Sequence, residues 1–335
     1  MKKIVYVGFA FTHHLLTHAG YQQIKQYIPY YHYIDCQSEY NFICKIIKRH
    51  HLLDRLYIKL FGSRLWLSEF RCIFYSIFHK DVVFHVIYSE NILKYLYLFI
   101  GKKNQIASTY HLPYETLVRN KTYVRSIQHS NYVILMTSKN LMEVRKLKGD
   151  NKVYYIPHGI DTTFYNSGLS SRDTKHLLMV GNMLRNFKFA NKLFEYLLNN
   201  IPDLKITIVT KEENYQFFSP HPQLYLCSNI SNEEILNLYQ KATLLVLPMF
   251  SFTANNALLE ALSCGCPAYI ISDYVDTSYN NPYLVTEKPN LEKNIYYIKS
   301  FLNRYVDNSI EIRKHILDEY SWEHIGTKVY QLLLQ

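Results

Sequence analysis

In the stretch 244–271, LLVLPMFSFTANNALLEALSCGCPAYII, one carboxylate, Glu260, follows two asparagines, Asn255 and Asn256, by four or five residues. Either asparagine can N-cap the run Ala257-Leu258-Leu259-Glu260-Ala261-Leu262, which is made of strong helix formers. The unbonded N–H groups of such a helix start suit a phosphate. A carboxylate a turn further in would repel phosphate but can accept hydrogen bonds from ribose or sugar hydroxyls. The plain alternative is a helix-start carboxylate that only complements the helix dipole.

Other chemistry-bearing residues recur at strand ends. His111 follows the strand-like run 105–109, with Glu115 as a nearby carboxylate. Arg185 and Lys188 stand at a helix start, where cations oppose the dipole and are slightly unfavourable, a misfit that hints at an anionic ligand. His13, His14 and His18 crowd one loop, but no carboxylate or cysteine joins them in sequence, so hydrogen bonding or plain exposure explains them better than a metal. Cys264 and Cys266 are too close together for a zinc knuckle arm and have no second pair; they read as small buried residues.

The elements that must position these residues alternate between strand and helix. Leu244–Leu247 is short and apolar enough for a buried parallel strand; Pro248 ends it, a polar loop 251–256 follows, Gly265 and Pro267 end the helix, and Ala268–Ile271 is the next strand. That βαβ unit puts the helix N-terminus at the carboxyl end of a sheet, where open α/β sheets bind ligands. Further strands are expected at 2–11, 81–88, 105–109, 132–137, 152–156, 176–180, 204–209 and 223–227. Helices are expected from Tyr21, across 93–100, from a Ser138 N-cap to Lys148, from Ser231 to about Ala242, over 293–303 and 309–320, and from Trp322 to Leu333. Gly20 would let backbone approach a ligand closely, and the Pro157–Asp161 turn, PHGID, is fixed rather than a linker.

The segment ANNALLEALSCGCP resembles the donor site of retaining glycosyltransferases of family 4, enzymes of the GT-B fold. Further matches follow in order: a basic first strand whose loop ends His18-Ala19-Gly20-Tyr21, DVVFHVIYSE at 81–90, ASTYHLP at 107–113, YYIPHGIDTTFY at 154–165, LLMVGN with Arg185 and Lys188, and YSWEHI at 320–325. The resemblance spans nearly the whole chain. It implies an α/β fold of two doubly wound Rossmann-like domains facing a central cleft: 1–165 for the acceptor, 166–312 for the nucleotide sugar, and a C-terminal helix, 313–335, crossing back to the first domain. It implies a metal-independent, retaining hexosyltransferase with no cofactor. A nucleotide-sugar donor and a glycan or lipid-linked acceptor would be its partners, in surface polysaccharide or glycoconjugate biosynthesis.

By the same resemblance, His111 and Glu260 are the catalytic candidates, His111 beside the reacting sugar. Gly20, Arg185, Lys188, Ile230, Asn255, Asn256, Ala257, Leu258 and Glu260 form the donor site. The acceptor hydroxyl attacks from the leaving-group side, and the diphosphate itself takes the proton. Two departures stand out. Asn182 occupies the usual arginine place, so Arg185 would supply the guanidinium. Counting back eight residues from Glu260 gives Phe252, where the family often has a second glutamate against the transferred sugar. Phe252 keeps open a non-catalytic nucleotide-sugar-binding relative acting in an assembly complex; a GT-B-fold sugar-nucleotide epimerase is the other alternative.

Composition bounds these readings. At 335 residues the chain exceeds one ordinary core. Its six cysteines, without paired metal spacing, suggest reduced thiols in a cytoplasmic setting. No signal-peptide cleavage pattern follows the first apolar run, and no stretch reaches the roughly 20 apolar residues of a spanning helix. A net charge of +10 favours anionic partners, yet no nucleic-acid module is present and nucleic acid is not expected. From Lys45 to Arg71 seven basic residues stand against Asp54 and Glu69, interleaved with leucines and aromatics. That pattern fits either an ordinary surface helix or peripheral contact with an anionic membrane on its inner face.

Overall fold

The computed structural model describes residues 2–12, 17–47, 49–61, 64–168, 171–252, 254–274, 278–279 and 281–335. His13, His14 and Lys48 lie outside them. The described residues form two compact units, one of 1–159 with 322–335 and one of 160–321. Each carries a six-stranded, wholly parallel sheet.

In the first unit the strands are β1 (Lys3–Gly8), β2 (His32–Asp35), β3 (Val82–Val86), β4 (Gln105–Tyr110), β5 (Tyr132–Leu135) and β6 (Val153–Tyr155), in the order β2-β1-β3-β4-β5-β6. The inner strands are buried on both faces, as continuous apolar runs such as VVFHV require. Between β2 and β3 come α1 (Gln37–Phe42), a π-helical turn (Ile43–Ile47), α2 (His51–Phe61) and α3 (Trp66–Phe78). After β3 the expected helix over 93–100 is instead two short turns, α4 (Ser89–Ile92) and α5 (Leu96–Phe99). The break is held by Glu69, whose Oε1 accepts from the amides of Lys94, Tyr95 and Leu96. Helices α6 (Tyr114–Arg119), α7 (Lys121–His129) and α8 (Leu141–Lys148) complete this part. The N-cap of α8 is Asn140, in the left-handed region at φ 62°, and not Ser138, whose carbonyl accepts from Leu141 N.

The second unit holds β7 (His176–Val180), α9 (Phe187–Asn200), β8 (Lys205–Val209), β9 (Leu224–Cys227), α10 (Asn232–Lys241), β10 (Leu244–Pro248), α11 (Asn256–Ser263), β11 (Ala268–Ile271), β12 (Leu284–Glu287), α12 (Leu291–Asn303) and α13 (Ser309–Tyr320). Its order, β12-β11-β10-β7-β8-β9, reverses direction between β7 and β10. That is the doubly wound switch point, so the loops after β7 and β10 are where such a sheet offers a ligand crevice. The Ser231 capping box at the start of α10 has both of its reciprocal bonds.

The last helix, α14 (Trp322–Leu334), belongs to the first unit, and α13 to the second. The return therefore begins at 322, later than the expected 313, and the units part after Gly159, earlier than 165. Side chains give the reason. Arg313 on α13 donates to the carbonyls of Thr162, Tyr165 and Ser263, while Ser309 abuts Gly265. Trp322 packs so closely on Gly159 that a Cβ there would stand 2.3 Å from its ring, which explains the glycine of the PHGID turn.

Candidate active site: residues at the strand ends of each sheet

In the second unit the switch-point loops are stitched together. Asn186 N donates to Pro248 O and Phe250 N to Leu184 O, both at 2.9 Å, around an antiparallel bridge between Arg185 and Met249. This brings Arg185 to the start of α11. Its Nη1 donates to Met249 Sδ at 3.4 Å, and Asn255 Nδ2 donates to the same sulfur at 3.3 Å. Asn255 is the N-cap: its Oδ1 accepts from Leu258 N, leaving the amides of Asn256 and Ala257 without an intrahelical partner.

Glu260 is only 7% exposed, so its carboxylate is held inside the unit at the second turn of α11. Tyr239 OH, from α10, donates to its Oε2 at 2.7 Å, with Tyr165 as a second hydrogen-bonding neighbour. Burial pushes the carboxyl up to about 7, against the pull of the two tyrosines and of the Arg185 charge. Burial and the Glu260 charge push both tyrosine hydroxyls well above their ordinary range, so they stay protonated donors. Tyr165 is itself fixed from behind: its carbonyl accepts from Ser263 Oγ at 2.6 Å and Arg313 Nη1 at 2.7 Å.

Arg185, expected as a cation at a helix start, is held tightly. It is 8% exposed, and Nε and Nη2 both donate to Val180 O, at 2.9 and 2.7 Å, while Nη1 also reaches Met183 O. Four of its five N–H groups are thus engaged by this unit's own atoms. Burial lowers it to about 10, which leaves it charged at neutral pH. Gly181, at φ 111°, makes room: a Cβ there would stand 2.6 Å from Nη2. Asn182 orders the neighbouring loop by accepting from Thr210 Oγ1 and Lys211 N. Lys188, in the first turn of α9, is exposed. Ile230 lies half-buried beyond Asn229, which takes φ 53°. Phe252 is 3% exposed and packs edge-on to Tyr274, so its side chain is a core residue.

In the first unit His111 follows β4 and lies 3.1 Å, through Nδ1, from Glu90 Oε1. The rings of Tyr88 and Tyr21 stand 4.7 and 5.0 Å from it. The other oxygen of Glu90 is buried with no hydrogen-bond partner among the described residues. A carboxylate on one ring nitrogen fixes the tautomer and the ring orientation, while the other nitrogen, Nε2, is buried. Gly20, at φ 98°, heads the 3-10 turn 21–26 that supplies Tyr21, while Glu115 is exposed on α6. A cavity of about 230 Å³ adjoins Glu90, lined also by Arg64, Lys94, Asn120 and Tyr123. Among the described residues no three His, Cys, Asp or Glu gather to hold an ion; His13 and His14, beside His18 in sequence, lie outside them.

Three partners escape sequence reasoning: Tyr165, Tyr239 and Glu90. The two tyrosines sit among many others for which packing is the simpler role, Glu90 only follows an apolar strand, and only the fold shows which group each meets.

Residues 174–290, from just before β7 through β12, match the family model described as glycosyl transferases group 1. No curated protein matches the chain in sequence. Among solved structures, TarM is similar at 14% identity and TM-score 0.64, over 82% of this chain and 61% of TarM, so the chain spans about three fifths of that protein. A TarM variant from S. aureus has been solved with fondaparinux, alpha-GlcNAc-glycerol and UDP. The lipopolysaccharide outer core galactosyltransferase WaaB, in its apo form, is similar at 15% identity and TM-score 0.67, over 99% of both chains. Trehalose-6-phosphate synthase OtsA gives 10% identity and TM-score 0.69, over 100% of this chain and 99% of its own. The chain thus has the GT-B fold, and the segment 174–290 that carries Arg185, Asn255 and Glu260 matches the group 1 glycosyl transferases.

Proposed function

We propose that the protein is a glycosyltransferase that moves a sugar from a nucleotide-diphosphate donor to a glycan or lipid-linked acceptor, with retained anomeric configuration and no metal. The observation that carries this reading is the buried cluster Arg185–Asn255–Glu260–Tyr239 at the β7/β10 switch point, inside the segment matching group 1 glycosyl transferases. The donor diphosphate binds at the Asn256 and Ala257 amides, with Lys188 as the movable cation and Arg185 as a fixed positive charge beneath them. Preorganised charge of this kind stabilises a pyrophosphate leaving group without reorganisation during the reaction. Glu260, held by Tyr239, takes the ribose or sugar hydroxyls, and the nucleobase rests near Ile230.

His111, oriented by Glu90, serves beside the reacting sugar. The acceptor hydroxyl attacks on the face the diphosphate leaves, and its proton passes to a leaving diphosphate oxygen. The setting is cytoplasmic surface polysaccharide or glycoconjugate biosynthesis, in keeping with six free thiols and with no described helix long and apolar enough to cross a membrane.

Incubation with a panel of nucleotide sugars tests this. Slow nucleoside-diphosphate release, lost in Lys188→Ala, supports transfer. Phe252 is buried against Tyr274 and carries no carboxylate to accept a donor-sugar hydroxyl, and a binding-only role is the second reading. That role is marked by nucleotide-sugar binding without turnover even with lipid-linked acceptors. A new nucleotide sugar, or a free sugar epimeric to that of the donor, formed without acceptor marks an epimerase instead.

A further inference from the structure

One helix of the first unit is turned inside out relative to an ordinary water-facing helix, and the helix before it buries no residue at all. A surface helix normally buries its apolar stripe and shows its polar side. Helix α3 does the reverse: it buries Ser68, Glu69, Cys72 and Ser76 and exposes Phe70, Phe74, Ile77 and Phe78, the last at 67%. Helix α2 buries no residue, and its leucines at 52, 56 and 60 are exposed, Leu52 at 80%. Leu98 and Phe99, on α5 packed against α3, are exposed as well.

The orientation of α3 is enforced by its polar side. Glu39 caps its first turn, accepting from Leu67 N and Ser68 N at 2.9 and 2.7 Å. Glu69 holds the start of α5, and Asn104 Nδ2 donates to the carbonyls of Ser76 and His79. Rotating α3 to hide its phenylalanines would break all of these bonds. Helix α2 is tied to the same start, with Phe61 stacked on Trp66 at 4.6 Å and Trp66 Nε1 donating to Tyr57 OH at 2.9 Å.

Charge identifies what covers these faces. Between 45 and 80 eight Lys and Arg stand against two acids. Asp54 is held by Arg64 at 2.7 Å, and Glu69 is buried. The charge left facing outward is therefore basic. A second copy would set like charges against each other, whereas a layer of anionic headgroups over acyl chains meets both the cations and the apolar side chains. We propose that the first unit docks peripherally on an anionic phospholipid bilayer through the outward faces of α2, α3 and α5. This goes beyond the segment 45–71 that the sequence singles out, because the apolar face runs on through Phe74, Ile77 and Phe78 to Leu98 and Phe99.

Flotation of the full chain with phosphatidylcholine vesicles, with and without phosphatidylglycerol, tests the proposal, and it reads lipid binding independently of any turnover. The expected result is binding to the phosphatidylglycerol vesicles that weakens with salt. Binding should drop at least about tenfold in a Phe70→Ser, Phe74→Ser, Phe78→Ser variant. Arg55→Glu with Lys59→Glu, which leaves the aromatic face intact, should also lose the preference for anionic vesicles and serves if the triple variant misfolds. No binding by the wild-type chain, or equal binding by both variants, overturns the proposal. So does light scattering that shows a dimer which the serine variant dissociates, since these faces would then cover a second copy.

Discussion

Replacing Glu260 by glutamine gives the sharpest thermodynamic test of the buried cluster. Glutamine keeps the shape and can still accept from Tyr239 OH, but it cannot ionise. The wild-type carboxyl is raised from 4.5 to about 7, which corresponds to about 3 kcal/mol between its two protonation states. Because the folded value lies above the unfolded one, the favourable contribution is complete below about pH 4.5. It is lost as pH rises through about 7 and stays lost above. Near pH 5 the two proteins should therefore have similar stability apart from a constant offset. By pH 8.5 Glu260→Gln should be the more stable by up to about 3 kcal/mol, or about 6–12 °C in the melting of a unit of this size. Paired thermal melts across pH 5–8.5 cancel the titration of every other group. A difference that does not change with pH, or one that favours glutamate at high pH, would refute the assignment of a buried, raised carboxyl. Donor-dependent turnover should fall in the same variant even where its stability rises, as expected for a site that retains a costly group for function.

Other perturbations reach the same cluster by different routes. Tyr239→Phe removes a bond to the ionised carboxylate, so the Glu260 titration should move further up, read as an upward shift in the pH profile of nucleotide binding or turnover. Gly181→Ala puts a Cβ 2.6 Å from Arg185 Nη2 at a φ of 111°; a stability loss of about 1–3 kcal/mol and weaker nucleoside-diphosphate affinity are expected by melting and calorimetry. Arg313→Ala removes a donor from three carbonyls, leaving that of Tyr165 with Ser263 Oγ alone, and should cost about 1–3 kcal/mol by thermal melt. Glu90→Gln should lower turnover while leaving nucleoside-diphosphate affinity unchanged, since Glu90 acts through His111 in the other unit.

Much of the fold is legible in the sequence because inner parallel strands advertise themselves. VVFHV, LLMV and LLVLP are apolar on both faces, and each ends in a loop whose polar residues mark the ligand side. The edge strands β2, HYID, and β12, LVTE, are not legible, because an edge strand has one neighbour and tolerates polar residues. The Asn255 cap and Glu260 stand out by type and spacing, but Tyr165 and Tyr239 sit among many tyrosines with no distinguishing pattern. Arg185 is visible as a charge, yet its burial depends on the pairing of two loops 64 residues apart. Helix α3 is least legible of all: its hydrophobic period is plain, but which side faces inward is decided by Glu39, Glu69 and Asn104.

The central claim is that a nucleoside diphosphate lodges at the start of α11, above Arg185 and within reach of Lys188. A crystal structure of the protein soaked with UDP, GDP or ADP tests it directly. The account predicts phosphate density at the Asn256 and Ala257 amides, with ribose or sugar hydroxyls against Glu260. A nucleotide bound elsewhere, with the α11 start empty and Glu260 still sealed behind Tyr239, would contradict it.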